Sequence, residues 1–147
     1  MYRASEGGTP RPHGRLQVWR DAMDLVEAIY AVSAQFPDSE RFGLQAQMRR
    51  ASVSVPSNIA EGAARNSRTE YCRFLTIARG SLSELDTQLQ LAKRLEFAAD
   101  VAPPRELLDR CYMRLNALIR SIRADGVSES EQGLDELELV ECPIPNP

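Results

Sequence analysis

The chain has one histidine, one lysine, three cysteines and only 6% aromatic residues, and each shortage removes a class of protein. Carboxylate-bridged metal bundles draw a Glu-x-x-His pair from each of two helices, which His13 alone cannot supply. Ser-His-Asp and Cys-His catalysis would both depend on His13, which falls in a segment without helical periodicity. Cys72, Cys111 and Cys142 are odd in number and form no C-x-x-C pair. They read as reduced thiols in a cytoplasm, not as a disulfide framework or a zinc site. The longest uncharged runs are ten residues, Ala28 to Pro37 and Ala51 to Ala60, half of the roughly 20 a membrane-spanning helix needs. Met1 to Gly14 lacks an apolar core and is not read as a secretory signal. No phosphate-binding or nucleophile-elbow motif occurs, and neither a metal nor a cofactor is expected.

Charge is distributed unevenly. The net charge is −3. Residues 1–124 nevertheless carry all 18 cations against 14 acids, a balance of +4, while Asp125 to Pro147 carries seven acids and no base. Seventeen of the cations are arginine. Arginine offers a planar fork that matches carboxylate or phosphate, although a genome rich in G and C yields the same bias.

What remains is rich in Ala, Leu, Arg, Glu and Gln, all good helix formers. Residues 1–14 read as a mobile arm. A first helix is expected from Leu16 to Gln35, with two apolar seams. One is Leu16, Trp19, Met23, Val26, Tyr30 and Ser33; the other is Val18, Ala22, Leu25, Ile29, Val32 and Phe36. Phe36-Pro37 ends it, because the residue before proline is pushed out of the helical region. The second helix runs from about Gly43 to Ala64, with small residues that admit a close neighbour and Pro56 in its middle. A kink is expected there, relieved by Ser52 or Ser57; a break into two helices is the alternative. Ser67 with Glu70 is a capping box for a third helix reaching about Glu96. Its main seam is Tyr71, Leu75, Ala78, Leu82, Leu85, Leu89 and Ala92, and a second stripe holds Phe74, Ile77, Ser81, Gln88, Leu91 and Leu95. Pro103-Pro104 opens a fourth helix that Gly126 ends. The expectation is an all-α, antiparallel up-down-up-down four-helix bundle over residues 15–125, followed by a disordered acidic tail at 126–147. The extra stripes on the first and third helices exceed what four helices bury internally. Homo-oligomerisation through Phe74, Ile77 and Leu91 is therefore expected.

Arginine is the strongest chemical signal. Arg49, Arg50, Arg65, Arg68, Arg73 and Arg79 lie on the two central helices and are candidate nucleic-acid-binding residues, since backbone phosphate contacts dominate such affinity. Pairing with Glu61 or Glu84 is the competing fate of Arg49, Arg65 and Arg79. Asn58, Glu61 and Glu84 are polar residues among apolar and small ones, and are expected to form a structural network across helices. No residue is assigned a catalytic role. Helical acids such as Glu61, Glu70 and Glu84 are usually solvated or paired with arginine.

The blocks Leu16-x-Val18-Trp19-x-x-Ala22, Phe36-Pro37, Gly43-Leu44-x-x-Gln47-x-Arg49-Arg50-Ala51, Ser54-Val55-Pro56-Ser57-Asn58-Ile59-Ala60-Glu61-Gly62 and Ala78-Arg79-Gly80-Ser81-Leu82-x-Glu84-Leu85 together resemble the four-helix-bundle proteins encoded in intervening sequences of bacterial 23S rRNA genes. The match spans about residues 16–123, and the acidic extension lies outside it. The resemblance implies a ring-like homo-oligomer, a pentamer. It also implies a fold similar to the accessory variability determinant of diversity-generating retroelements, a basic barrel that binds nucleic acid and a reverse transcriptase. The leading expectation is a cytoplasmic, non-catalytic bundle that binds RNA or DNA backbone and crosses no membrane. The alternative is an interaction scaffold that presents its acidic tail to a partner protein.

Overall fold

A computed structural model of the chain describes residues 11–130, with side chains through Val127. It contains four α-helices: α1, Gln17–Ser33; α2, Leu44–Ala63; α3, Arg68–Arg94; and α4, Ala102–Ser130. Short 3-10 turns at Pro12–Arg15 and Asp38–Glu40 precede α1 and α2. No strand occurs among the described residues. The four helices form a bundle in which α1 packs on α2 and α4, and α3 packs on the same two, so that α1 and α3 face each other across a diagonal.

Seam spacing decides which faces turn inward. On α1 the seam Val18, Ala22, Leu25, Ile29 and Val32 is buried, and Phe36 follows it into the core beyond the helix end. On the other seam Trp19 is buried, while Met23 and Tyr30 each remain 43% exposed. The α3 seam from Leu75 through Ala92 is fully buried, with Leu82, Leu85 and Leu89 among its largest members. From α4 come Leu108, Cys111, Leu115, Ile119 and Ile122.

The helix ends follow from local chemistry. Ser67 Oγ accepts a hydrogen bond from the Glu70 backbone N–H at 3.3 Å, which caps α3. Glu70 itself turns to Arg73. At the other end Glu96 takes the left-handed conformation, φ 59°. The Phe97 N–H then reaches Ala92 O at 2.9 Å and the Glu96 N–H reaches Lys93 O at 3.2 Å. This is the Schellman closure, with glutamate where glycine is usual. The α2 start is covered by Glu40, whose carboxylate accepts from the Leu44 N–H at 2.9 Å.

Three expectations about the chain path resolve differently from one another. Pro56 is buried within α2, which stays one helix from Leu44 to Ala63; Ser52 Oγ donates to Arg49 O at 2.8 Å. Gly126 does not end α4, which runs on to Ser130. A glycine costs a helix about 1 kcal/mol against alanine without stopping it, and Gly126 is covered in part by the side chain of Arg68. His13 is not in a free arm. It sits in the first 3-10 turn, half-buried, with its ring 4.9 Å from that of Trp19. The remainder of the expected arm and acidic tail, residues 1–10 and 131–147, lies outside the described residues.

Candidate nucleic-acid interface

The six arginines singled out by sequence do not share one surface. Arg49 is spent within the bundle. Its Nε donates to Ser33 Oγ at 2.9 Å, its guanidinium reaches Tyr30 O at 3.4 Å, and its Cζ lies 4.5 Å from the Tyr30 ring centroid. It closes the carbonyl-bearing end of α1, where a cation is favourable. Arg79 faces α4 and donates to Asn116 Oδ1 at 3.0 Å. Arg50 is exposed and makes no ion pair among the described residues.

Two of the arginines do converge, beside the α2–α3 turn. Arg65, just past α2, lies with its Cζ 5.0 Å from the Phe74 ring centroid, and Arg73 approaches the same ring at 5.7 Å. Both are exposed and each holds one carboxylate: Arg65 with Glu61 at 3.0 Å, Arg73 with Glu70 at 3.4 Å. Arg68 opens α3 at this same end, and its side chain runs toward α4, 4.0 Å from where a Cβ on Gly126 would stand. Phe74 is thus half-buried between two cations, not part of an open apolar patch. Of the other expected interface residues, Ile77 is 42% and Leu91 43% exposed.

The expected network of Asn58, Glu61 and Glu84 is not one network. Asn58 Nδ2 donates to Ser54 O at 2.8 Å and to Ser54 Oγ at 2.9 Å, and Ser54 Oγ meets Ser81 Oγ at 2.9 Å, tying α2 to α3. Glu61 points to Arg65 at the surface, and Glu84 accepts from Gln88 Nε2 at 3.2 Å. Ser54, Asn58 and Glu61 follow one stripe of α2, but Asn58 turns back to Ser54 while Glu61 turns on to Arg65, each one turn away. Glu84 and Ser54 still share an open groove of about 320 Å³, lined also by Gln47, Arg50, Ala51 and Ser81. Gln88 Oε1 is buried with no hydrogen-bond partner.

Close approach of α2 to α3 rests on Gly62. A Cβ built there would lie 2.9 Å from Phe74 Cβ and 3.0 Å from the Tyr71 ring. The packing it permits buries Tyr71 enough to raise its hydroxyl pKa, with neighbouring Cys72 adding to the shift.

Two features escaped the sequence reading. Asp21 is buried, accepts from Gln17 Nε2 at 3.0 Å and is paired with the Arg114 guanidinium of α4. It lies beside the inward seam, where periodicity alone reads as apolar. Burial, and then the Asp21 charge, push the Cys111 thiol up to about 12. Phe42 is 88% exposed in the α1–α2 connection with Arg41 Cζ 5.7 Å from its ring, beside an open cavity of about 480 Å³. It belongs to no seam, which is the one signal the sequence offered.

Among the described residues, no three His, Cys, Asp or Glu side chains converge to hold a metal ion, and no helix is long and apolar enough to cross a membrane. Fold and surface together define a four-helix bundle with arginines at its α2–α3 end and a hydroxyl-and-amide tie between its central helices. The chain belongs to the 23S rRNA-intervening sequence protein family, whose model matches residues 14–119. A search of curated proteins finds no match.

Proposed function

We propose that this chain is a non-catalytic, cytoplasmic bundle that assembles with copies of itself and holds nucleic-acid backbone on its arginines. The observation that carries the binding half is the pair of exposed guanidiniums, Arg65 and Arg73, that converge on Phe74 beside the α2–α3 turn, with Arg68 opening α3 at the same end. Exposed pairs such as Arg65 with Glu61 contribute at most about 1 kcal/mol, so phosphates compete for these cations readily. The family's tie to 23S rRNA intervening sequences favours RNA as the first ligand to try.

Antiparallel up-down-up-down order belongs to the same reading. It is supported by the helix pairings: Gly62 against Phe74 and Ser54 against Ser81 for α2 with α3, Asp21 with Arg114 for α1 with α4, and Arg79 with Asn116 and Asp86 with Arg105 for α3 with α4. Assembly is supported by apolar side chains left exposed on the two diagonal helices. Met23 and Tyr30 lie on α1; Ile77, Leu91 and Leu95 lie on α3. Two different patches on opposite corners suit a head-to-tail contact, which closes into a ring. Five subunits is the number that the family resemblance implies.

Anisotropy titration of labelled single-stranded RNA and duplex DNA with the full chain tests the binding. The affinity is expected to fall log-linearly with salt, and Arg65→Glu with Arg73→Glu is expected to weaken it by roughly tenfold or more, since phosphate contacts supply most of the attraction. Negligible binding at low salt by both the wild type and a chain ending at Ser130 would remove the nucleic-acid reading and leave an interaction scaffold in its place.

A further inference from the structure

The last turns of α4 run past Arg68, which opens α3 a short way from Phe74 and its two arginines. A Cβ built on Gly126 would lie 4.0 Å from Arg68 Cδ, and Ser130 is only four residues further on, about 6 Å of helical rise. Seventeen residues then follow, with five acids (Glu131, Asp135, Glu136, Glu138 and Glu141) and no cation. Interleaved with the acids are Leu134, Leu137, Leu139 and Val140. We propose that this acidic, leucine-bearing segment docks on its own bundle, over the Phe74 ring between Arg65 and Arg73.

The chemistry of the two partners matches. The surface offers two exposed guanidiniums over the half-buried Phe74 ring. The segment offers carboxylates and branched apolar side chains at alternating positions. Docking need not displace Glu61 or Glu70, because each is held by a single guanidinium nitrogen and arginine has further N–H donors to give. Length is sufficient. Phe74 lies about 9 Å along α3 from Arg68, while the twelve residues from Ser130 to Cys142 span up to ~40 Å when extended. Because the segment is tethered, its effective concentration at the surface is on the order of millimolar, and weak contacts suffice. The proposal stands whether or not the same arginines also meet phosphates.

Cys142 makes the test direct. Cys72 and Cys111 are buried, and the Cys111 thiol is held neutral, so neither competes with Cys142 for a maleimide under native conditions. A benzophenone maleimide is attached to Cys142 of the full chain, irradiated, and its crosslinks are mapped by tryptic digestion. The expected product joins Cys142 to the peptide Phe74–Arg79. An equal mixture of isotopically heavy and light protein is expected to give crosslinks within one isotope only. Neutralising the segment by Asp135→Asn, Glu136→Gln and Glu138→Gln leaves the bundle untouched and is expected to lower the yield by roughly tenfold, as raised salt should also do. Crosslinks scattered over the surface, an unchanged yield in the neutralised chain, or heavy–light hybrids as abundant as same-isotope products would each overturn docking of the segment on its own bundle.

Discussion

The two faces of α3 obey different rules. Inward, Leu75, Ala78, Leu82, Leu85, Leu89 and Ala92 are wholly buried, and the single subunit accounts for each. Outward, Ile77, Leu91 and Leu95 stay 42–54% exposed. Gly80 lies among them in mid-helix with nothing within 4 Å of where a Cβ would stand. Gly62 on α2 is the instructive contrast, because its missing Cβ is required by Phe74 and Tyr71. A glycine that fits against a neighbour explains itself. One that faces open space costs helix stability without return inside the subunit, and so points beyond it.

The largest effect separating the two faces should come from the inward one. Leu82→Ala is expected to lower unfolding stability by roughly 2–5 kcal/mol, through lost burial and the cavity left behind, as measured by urea denaturation. Gly62→Ala comes next. Its added methyl must push α2 from α3, and a loss of about 1–3 kcal/mol is expected in the same measurement. Wild-type stability in Gly62→Ala would mean that close contact between these helices is not required.

Asn58→Ala tests the polar tie between the faces. Asn58 is half-buried and holds Ser54, which in turn meets Ser81. A loss of about 1 kcal/mol is expected, since a net hydrogen bond is worth about that much. An unchanged denaturation midpoint together with lost nucleic-acid binding would move Asn58 from structure to ligand contact. The smallest effect carries the opposite sign. Gly80→Ala should raise the stability of the subunit by roughly 1 kcal/mol while weakening assembly. A gain in both would place the proposed contact on another face.

Periodicity carried the architecture. The seams on α1 and α3 and the Ser67 cap were readable because each rests on local spacing or on one side chain meeting one backbone group. The Gly126 stop was misjudged because a glycine ends a helix only when the chain turns left-handed there, and nearby sequence does not compel that turn. At the other end of α3 the left-handed position is occupied by Glu96, a residue that carries no such signal. The candidate site was less legible. Six arginines on two helices looked alike in sequence, but α1 claims Arg49 and α4 claims Arg79, while Arg65 and Arg73 converge on Phe74. Which arginine is already partnered depends on helices distant in sequence. The same holds for Asp21, whose partner Arg114 is 93 residues away.

The solution mass of the full chain tests most directly whether the outward face of α3 meets a second subunit. Light scattering at micromolar concentration is expected to give about five times the 16.4 kDa subunit mass. Ile77→Glu should reduce it to 16.4 kDa while keeping the helical circular dichroism and a cooperative melt, because a buried unpaired charge is tolerated in neither half of such a contact. A wild-type chain that is monomeric under these conditions, or an Ile77→Glu chain that assembles as well as wild type, would contradict it.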